Sequence, residues 1–439
     1  MTSKRRRRHT TGQSSRSRTF LAAFALLILF SALVVSLSNS SPLGSGSTAS
    51  GMATKFLSAL GFAVGLSEAY GNVKDLRMNH MQVVGTHNSY HREVSLPERA
   101  TIEKLVGNAA QNLYYSHAKF ADQLGRQAVR SLEIDVLSDT QGGLYGNPLL
   151  WRLANITNAT APFHDPNFFK PGLKVLHVTD ADVNSVCHTF VECLQQLKAW
   201  SDDNPTHVPI MIDIELKCDA LFCAFGGVCA DEARSWTLSR ILEVDREIRS
   251  IMPSNKLVTP DDVRQPNMTL EQSVLQHGWP KLDDVQGRFM FFFDNDPIDD
   301  SNCTIIRSLY RSNGHESLQN RTVFTNSVEG DSDAAFIKYN DPTKGGAAEI
   351  QRLVKKGYIV RTRADVPITT VLEKDLSRYN ASWSSGAQII STDWPEYGMS
   401  ARYDWDYAVK LGGGRVARCN PVTAPKGCKD SQLEALQLS

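Results

Sequence analysis

The sequence lacks the motifs of several common enzyme classes. It has no Gly-x-Ser-x-Gly elbow, which disfavours a serine esterase. No glycine-rich phosphate fingerprint follows its first apolar strand, which disfavours a dinucleotide-binding sheet. None of its eight cysteines forms a Cys-x-x-Cys pair, so a structural zinc site is not indicated. Its formal net charge is zero, and since seven of its basic residues and none of its acids lie before residue 20, the rest of the chain carries about −7, so we expect no nucleic acid partner.

The first 37 residues differ in composition from the rest. Residues 1–19 hold seven Lys and Arg side chains and no acid, whereas residues 20–37 are uncharged. About 18 to 20 apolar residues suffice to span a bilayer, and the positive-inside rule exports the chain that follows a basic flank. Residues 20–37 are therefore either a cleaved signal peptide or a retained signal anchor, and the length of the run favours the anchor. We expect a protein of the secretory pathway with an extracellular or lumenal body, either secreted or single-pass type II.

Cysteines and glycosylation sequons agree with an exported body. Disulfides persist in oxidising compartments, so the eight cysteines favour disulfide use. Cys419 and Cys428 bracket a short Pro-containing loop and form the first candidate bridge, while the other pairings stay open. Six sequons are candidates for surface glycosylation: Asn155, Asn158, Asn267, Asn302, Asn320 and Asn380.

The pattern after residue 70 predicts a single catalytic domain. Residues 38–70 form a linker, and residues 71–439 alternate short apolar strands with longer amphipathic helices, one of them over 331–339. This alternation is typical of parallel βα units. It favours an α/β fold with one (β/α)8 TIM-type barrel, regular or distorted, over an open doubly wound sheet. The N-terminal signal or anchor helix precedes the barrel. The predicted strands are 82–85, 131–136, 173–177, 209–215, 288–293, 322–326, 358–361 and 388–392.

Polar side chains stand at the ends of the first four predicted strands. In a barrel, the carboxyl ends of the strands converge on one mouth, which holds the active site. Alternation in a strand also places residues i and i+2 on the same face. The polar residues are His87 and Asn88 after the first strand, Glu133 and Asp135 in the second, His177 at the end of the third, and Asp213, Glu215 and Lys217 at the end of the fourth.

The oxygens and the histidines of this set suit different tasks. Ca²⁺ takes about 6 to 8 oxygen ligands, and the candidate ligands are oxygens of Asn88, Glu133, Asp135 and Glu215. Mg²⁺ is the less favoured metal, and zinc is less favoured still. Histidine titrates near pH ~6.5, so a pair can share acid and base work at neutral pH. With a cation that stabilises charge on a phosphoryl oxygen, this set suits phosphodiester cleavage.

The same residues carry a family resemblance. Gly-Thr-His-Asn-Ser-Tyr-His at 85–91, Leu-Glu-Ile-Asp-Val at 132–136, His177 and Ile-Asp-Ile-Glu-Leu-Lys at 212–217 resemble the X region of calcium-dependent phosphoinositide-specific phospholipase C. The resemblance covers about residues 75–430 and is to the compact form of bacteria and fungi, without the lipid-binding modules of animal enzymes. Further matching segments are 258–264, 357–365, 385–394 and 418–422.

The resemblance implies a reaction and a division of roles. His87 and His177 would be the catalytic pair, and the four oxygen-ligand candidates would hold calcium. The inositol 2-hydroxyl would attack phosphorus and release diacylglycerol and a cyclic inositol phosphate, which water can open. His177 would act as general acid toward the diacylglycerol oxygen. His87 would contact phosphate or accept a proton, with a calcium-bound carboxylate as the competing base.

Further candidates lie near the expected mouth. Lys217, Arg361 and Arg363 are at strand ends, where each serves either phosphate binding or a structural ion pair. Asp393 ends the last strand and is a candidate for orienting His87. Trp394 and Tyr397 are candidates for stacking on the inositol ring, with core or rim packing the favoured role, and His91 and His188 are expected not to be catalytic.

Two alternative functions stay open. A glycerophosphodiester phosphodiesterase shares the barrel, the Glu-x-Asp pair and two histidines, but would have His-Arg-Gly where this chain has His-Asn-Ser at 87–89. A membrane-tethered, inactive inositide- or glycan-binding protein would keep the fold alone. Because the body is expected to face outward, the substrate is either a phosphoinositide or a glycosylphosphatidylinositol-type lipid at a membrane surface. We expect a monomer.

Overall fold

The structure is a computed structural model, and it describes residues 75–217, 229–231, 233–298 and 305–434. The predicted basic flank, the signal or anchor segment and the linker, together residues 1–70, lie outside the described residues. In the part of the chain that is described, no helix is long and apolar enough to cross a membrane.

The centre of the fold is a ring of parallel strands built from short buried runs. Parallel strands with helices on their outer face are buried on both sides, which explains their Val-, Ile- and Phe-rich sequences. In chain order the ring strands are β1 (Met81–Thr86), β2 (Ser131–Asp139), β4 (Ile210–Leu216), β6 (Phe289–Phe293), β7 (Phe324–Thr325), β8 (Phe336–Lys338), β9 (Ile359–Arg363) and β10 (Ile389–Thr392).

Consecutive ring strands pair with one another, and β10 pairs with β1. The contact between β7 and β8 is a single parallel bridge between Asn326 and Phe336. The ring is therefore a distorted (β/α)8-type barrel whose weakest seam is at β7 and β8, which confirms the predicted fold class.

Gly85 is required where β1 lies closest to its two neighbours. A Cβ atom at this position would lie 3.0 Å from Ser131 Cβ in β2 and 3.2 Å from Ile389 Cγ2 in β10. The absence of a side chain therefore lets β1 pair on both sides just before it delivers its polar residues to the mouth.

Three short strands pair at the margins of the ring. β3 (Gly172–Val175) is antiparallel to the carboxyl end of β2, β5 (Leu257–Val258) is parallel to β6, and β11 (Ala417–Cys419) is antiparallel to β1. The helices are α1 (Leu96–Val106), α2 (Phe120–Leu124), α3 (Leu149–Ala154), α4 (Phe190–Asp203), α5 (Leu238–Ile251), α6 (Pro260–Val263), α7 (Leu270–His277), α8 (Leu282–Val285), α9 (Ile306–Tyr310), α10 (Gly346–Lys356), α11 (Pro367–Glu373) and α12 (Ser377–Ser385).

Seven of the predicted strands belong to the ring, and one assignment is wrong. The predicted strand 173–177 is β3, which runs antiparallel to β2 outside the ring. The missing ring strand is β8, which lies within the predicted helix 331–339. An apolar run of three or four residues does not reveal strand direction or helical periodicity, so the tertiary pairing decides both assignments.

The predicted bridge between Cys419 and Cys428 is confirmed, and a second disulfide joins Cys187 to Cys193. Five of the six sequons lie in the described residues, and each of their asparagines is exposed. Asn302 lies outside the described residues. The exposure of the other five satisfies the steric requirement for glycosylation, which stays a prediction.

Candidate active site

His87 leaves β1 at the mouth and is bound by the last strand of the ring. Its Nδ1 lies 2.8 Å from Asp393 Oδ1, just beyond β10. Arg363, at the end of β9, donates from Nη2 to Asp393 Oδ2 over 2.7 Å and from Nη1 to His87 Nε2 over 3.2 Å. Since an arginine nitrogen only donates, Nε2 is the acceptor and Nδ1 carries the proton that Asp393 receives. The ring therefore has the tautomer of a proton acceptor at Nε2.

Asp393 is fully buried and nonetheless charged. Burial opposes ionisation, but the interactions with His87 and with the positively charged Arg363 outweigh it and hold the pKa of Asp393 below its usual range. The carboxylate is therefore ionised beside His87 Nδ1, and its role in orienting His87 stays a prediction.

His177 belongs to a second histidine–aspartate pair. It follows β3, and the backbone N–H of His177 donates to the Asp182 carbonyl over 3.0 Å in a tight loop. Its Nδ1 lies 3.0 Å from Asp182 Oδ2. A second histidine, His91, lies 2.8 Å from the same oxygen through its Nε2. Burial is the main cause that lowers the pKa of His177.

The predicted carboxylate ligands converge between the ends of β2 and β4. One oxygen from each of Glu133, Asp135 and Glu215 lies within 4.8 Å of the others. Glu133 also links this group to the first histidine, because its Oε1 is 3.8 Å from His87 Nε2. Lys217 Nζ lies 3.4 Å from both Asp135 and Glu215.

Asp135 supplies the observation that tests whether these residues fit a cation. Both of its carboxylate oxygens are buried without a hydrogen-bond partner among the described residues. Burial and the nearby carboxylates of Glu215 and Glu133 raise the pKa of Asp135, against the effect of Lys217. A divalent cation would supply the missing partner and favour the ionised form, so the donor set fits calcium.

Asn88 lies in a loop that is tied to β2 through its neighbour Ser89. It has a positive φ of 46°, a conformation that asparagine tolerates better than most residues. The next residue, Ser89, accepts the Glu133 N–H at its Oγ over 2.8 Å and donates its own N–H to the Glu133 carbonyl over 2.9 Å. Asn88 Nδ2 donates to the Tyr115 hydroxyl. This bond fixes the amide and leaves its oxygen as the candidate ligand atom.

Arg361 lies beneath the mouth in a buried ion-pair network. It donates to Glu133 Oε2, and its Nε is 3.2 Å from Asp213 Oδ2. Asp294 is 3.6 Å from Arg361 Nη1 and also receives a hydrogen bond from Lys338. With 1% of its side chain exposed, Arg361 orients carboxylates, whereas Arg363 contacts the histidine itself.

The remaining predicted neighbours divide between core, rim and a separate cluster. Trp394 is buried and its indole donates to the Pro367 carbonyl, whereas Tyr397 is exposed. His188 pairs with Asp165 away from this site. Asp182 was not predicted from the sequence, because this residue lies in a loop without hydrophobic periodicity. Its one signal was a carboxylate five residues after a histidine that ends an apolar run.

The fold and the site together define a class of enzyme. A barrel with two histidine–carboxylate pairs beside an acidic cluster is suited to acid–base catalysis that a divalent cation assists. The family model for phosphoinositide phospholipase C, Ca²⁺-dependent, matches residues 76–421. The chain therefore belongs to the family of Ca²⁺-dependent phosphoinositide phospholipase C enzymes.

Solved structures with a similar chain course are distant in sequence. A calcium-dependent phosphoinositol-specific phospholipase C from Pseudomonas sp is 15% identical, with 79% of this chain and 96% of that chain covered and a TM-score of 0.47. A Ca²⁺-dependent phosphatidylinositol-specific phospholipase C from Streptomyces antibioticus is 17% identical, with 75% of this chain and 98% of that chain covered and a TM-score of 0.45. No curated protein sequence matches the chain significantly.

Proposed function

We propose that the protein cleaves phosphatidylinositol-type lipids to diacylglycerol and a cyclic inositol phosphate, with the inositol 2-hydroxyl as nucleophile. The observation that carries the proposal is the presence of two histidine–aspartate pairs, His87–Asp393 and His177–Asp182, together with an acidic group that includes Glu133. Transfer to an internal hydroxyl needs a proton acceptor, a proton donor and charge stabilisation, and no protein nucleophile.

The tautomer of His87 supports the role of proton acceptor. Its Nε2 carries a lone pair, which Arg363 binds over 3.2 Å. In the proposed reaction a phosphate oxygen draws the Arg363 guanidinium toward itself, and Nε2 then accepts the proton of the 2-hydroxyl. Glu133, 3.8 Å from Nε2, is the competing base. His177, whose Nδ1 is held by Asp182, donates from Nε2 to the diacylglycerol oxygen.

Asn88, Glu133, Asp135 and Glu215 would hold calcium. When bound, the cation would stabilise negative charge on the phosphoryl oxygens. Lys217 Nζ lies 3.4 Å from two of these carboxylates and is the candidate for a further phosphate contact. Arg361 is expected to orient Glu133 rather than to contact the substrate, because it is bound to that carboxylate and buried.

The distribution of exposed apolar side chains supports a membrane surface as the place of reaction. We expect seven of the eight large exposed hydrophobic residues in the described ranges to lie on the mouth side of the barrel, because each lies in a stretch that follows the carboxyl end of a ring strand. We call these seven the apolar rim. A soluble substrate gives no reason to concentrate exposed apolar area at the mouth. The rim residues are Leu96, Phe169, Ile298, Ile305, Leu372, Leu376 and Tyr397.

The N-terminal sequence supports export of this domain. The substrate is then phosphatidylinositol on an outward-facing leaflet or the lipid of a glycosylphosphatidylinositol anchor. The proposed location, secreted or held as a single-pass type II protein, rests on residues 1–37.

The first experiment measures release of inositol phosphate from phosphatidylinositol vesicles by the purified full-length protein, with calcium and then with chelator. Calcium-dependent release that is lost in both His87→Ala and His177→Ala is the expected result. Activity that survives the chelator would refute the metal assignment. The absence of activity on phosphatidylinositol and on glycosylphosphatidylinositol would favour the inactive binding protein, and release of glycerol phosphate from a deacylated lipid would favour a glycerophosphodiester phosphodiesterase.

A further inference from the structure

The proposed acid, His177, lies at the neck of a tight turn over residues 177–182. The N–H of His177 donates to the Asp182 carbonyl over 3.0 Å, and the N–H of Asp182 donates to the Val178 carbonyl over 3.0 Å. Asp180 lies at the tip of this turn and has a positive φ of 55°. Because the turn is so short, a partner that holds its tip also fixes the direction in which its neck presents His177.

The Asp180 side chain is a buried acceptor for two other segments of the chain. It has no exposed area, and its Oδ2 accepts from Arg152 Nη2 over 2.9 Å and from the Asp231 N–H over 2.7 Å. The Asp180 carbonyl also accepts the Leu149 N–H over 2.6 Å. Arg152 and Leu149 belong to α3, whereas Asp231 follows β4 along the chain. The tip of the turn is therefore held by α3 and by the segment after β4.

Arg152 connects these segments to one another. Besides binding Asp180, its Nη2 donates to the Cys229 carbonyl over 2.5 Å, and its Nη1 donates to the Asn147 carbonyl over 2.7 Å. Cys229 is itself disulfide-bonded. The support of the turn thus comes from the connections that follow β2 and β4, the two strands that carry the predicted carboxylate ligands.

The backbone of the turn does not require a carboxylate at its tip. Glycine and asparagine also adopt a positive φ, and neither buries a charge. Asp180 Oδ1 is nonetheless buried without a hydrogen-bond partner in the part of the chain that the structure describes. A buried unpaired polar atom lowers stability. The two contacts of Oδ2 explain the carboxylate, because an uncharged acceptor would bind an arginine less strongly.

We propose that Asp180 is a positioning residue whose contacts with Arg152 and Asp231 hold the turn, so that His177 meets the leaving oxygen of the substrate. The inference rests on the proposed role of His177 as proton donor. A general acid must lie within hydrogen-bond reach of the atom that it protonates, and a misplacement of about 1 Å costs about 10²-fold in rate. Asp182 orients the His177 ring, whereas Asp180 fixes the place of the turn that carries both residues.

The first test measures the effect of Asp180→Asn in the purified full-length protein. Asparagine has nearly the same shape and tolerates the positive φ, but it lacks the charge that binds Arg152. Burial raises the pKa of Asp180 to about 7, so the assays are run at pH 8, where the carboxylate is mostly ionised. On phosphatidylinositol vesicles we expect kcat to fall about 10- to 100-fold, while KM and calcium affinity stay within about twofold of the parent values.

The same variant is then assayed on an aryl ester of inositol 1-phosphate. A phenol titrates near pH ~10, so a phenoxide leaves with little help from an acid, whereas the alkoxide of diacylglycerol needs a proton. Asp180→Asn should therefore cleave the aryl ester at close to the parent rate. An equal loss on the two substrates would overturn the inference, because general damage to the site affects both, and so would a parent rate on both.

Hydrogen exchange tests the turn without any substrate. In Asp180→Asn we expect the His177 and Asp182 amides to exchange at least about tenfold faster. The Ser89 amide, which donates to the Glu133 carbonyl, should keep the parent rate. Unchanged exchange in the turn would refute the positioning role, whatever the activity. If exchange in the turn becomes faster but the unmodified protein cleaves no inositol lipid, Asp180 holds the turn and the proposed function falls.

Asp333→Asn is the matched control. Asp333 is also fully buried, its two oxygens accept from Arg307 over 2.6 and 2.9 Å, and it precedes β8 at the amino end of that strand. This substitution removes a comparable ion pair outside the turn. We expect both substrates to react at close to the parent rate and exchange over 177–182 to be unchanged. A loss confined to the lipid substrate in this control would contradict the assignment to Asp180.

Discussion

The substitution Asp393→Asn tests the first histidine pair most directly. Asp393 is fully buried and binds His87 Nδ1 at 2.8 Å and Arg363 Nη2 at 2.7 Å. Asparagine has nearly the same shape, but it offers one oxygen and one NH₂ group in place of two acceptors. If its oxygen accepts from Arg363, its NH₂ faces His87 Nδ1. The histidine must then carry its proton on Nε2.

The reversed tautomer places a proton where the proposed base needs a lone pair. Its Nε2–H would also face the Arg363 Nη1 donor, which lies 3.2 Å from Nε2 in the unmodified protein, so that two donors would meet. A positioned acid or base contributes about 10²- to 10⁴-fold, and the same amide substitution in the serine protease triad lowers kcat about 10⁴-fold. We therefore expect kcat of Asp393→Asn to fall by about 10²- to 10⁴-fold, with little change in calcium binding.

The assay is initial-rate release of inositol phosphate from phosphatidylinositol vesicles, with calcium binding measured separately by calorimetry. Asp245→Asn is the matched control, because Asp245 is a buried carboxylate that binds the Tyr310 hydroxyl at 2.7 Å in α5, outside the mouth. Both variants are assayed well below their unfolding midpoints. If Asp393→Asn keeps kcat within tenfold of the parent, the tautomer argument is refuted and Glu133 becomes the preferred base.

Three further predictions address the cation, the membrane and the pH dependence of stability. Asp135→Asn should weaken calcium binding measured by calorimetry, and unchanged binding would contradict its place in the site, since Asp135 lacks another hydrogen-bond partner among the described residues. The double substitution Leu372→Ser and Leu376→Ser removes side chains that are 54% and 43% exposed. At about 1.5–3 kcal/mol per fully buried leucine, we expect the loss of these two half-exposed side chains to weaken vesicle binding about 30-fold. Leu275→Ser, which lies outside the rim, should leave vesicle binding unchanged. Equal losses in the two variants would contradict the apolar rim. Burial raises the pKa of Glu247 to about 7, so the folded state loses stability relative to the unfolded chain as pH rises through 7. Glu247→Gln should therefore raise the unfolding midpoint at pH 8 but not at pH 5, and an equal effect at both would contradict this explanation.

The barrel could be predicted because its long strands are recognisable as apolar runs in the sequence. Ile210–Leu216 and Phe289–Phe293 are buried on both faces, and such runs are apolar enough to be read without a structure. The strand Phe336–Lys338 could not be predicted, because a run of three residues shows neither helical nor extended periodicity. The direction of Gly172–Val175 was equally hidden, since alternation is the same in parallel and antiparallel strands.

The site divides in the same way between strand residues and loop residues. The sequence predicted that Glu133, Asp135 and Glu215 share a face, and one oxygen from each lies within 4.8 Å of the others. Residues whose role depends on a partner that is distant in sequence are harder to predict. Asp393 binds a histidine 306 positions away, and Asp182 lies in an aperiodic loop. Chain distance and loop geometry conceal such partners until the fold brings them together.

The two histidine pairs follow one arrangement with different second partners. Each catalytic candidate binds a buried carboxylate through Nδ1, and each carboxylate also has a second hydrogen-bond partner, Arg363 beside Asp393 and His91 beside Asp182. Arg363 also contacts His87 Nε2, whereas the other ring nitrogen of His91 lies 3.1 Å from the Tyr115 carbonyl oxygen. A substrate phosphate can therefore compete with His87 for Arg363, but it cannot reach His91, which is fully buried. Substrate binding would therefore free the proposed base, His87, to accept a proton, whereas contacts within the fold alone orient the proposed acid, His177.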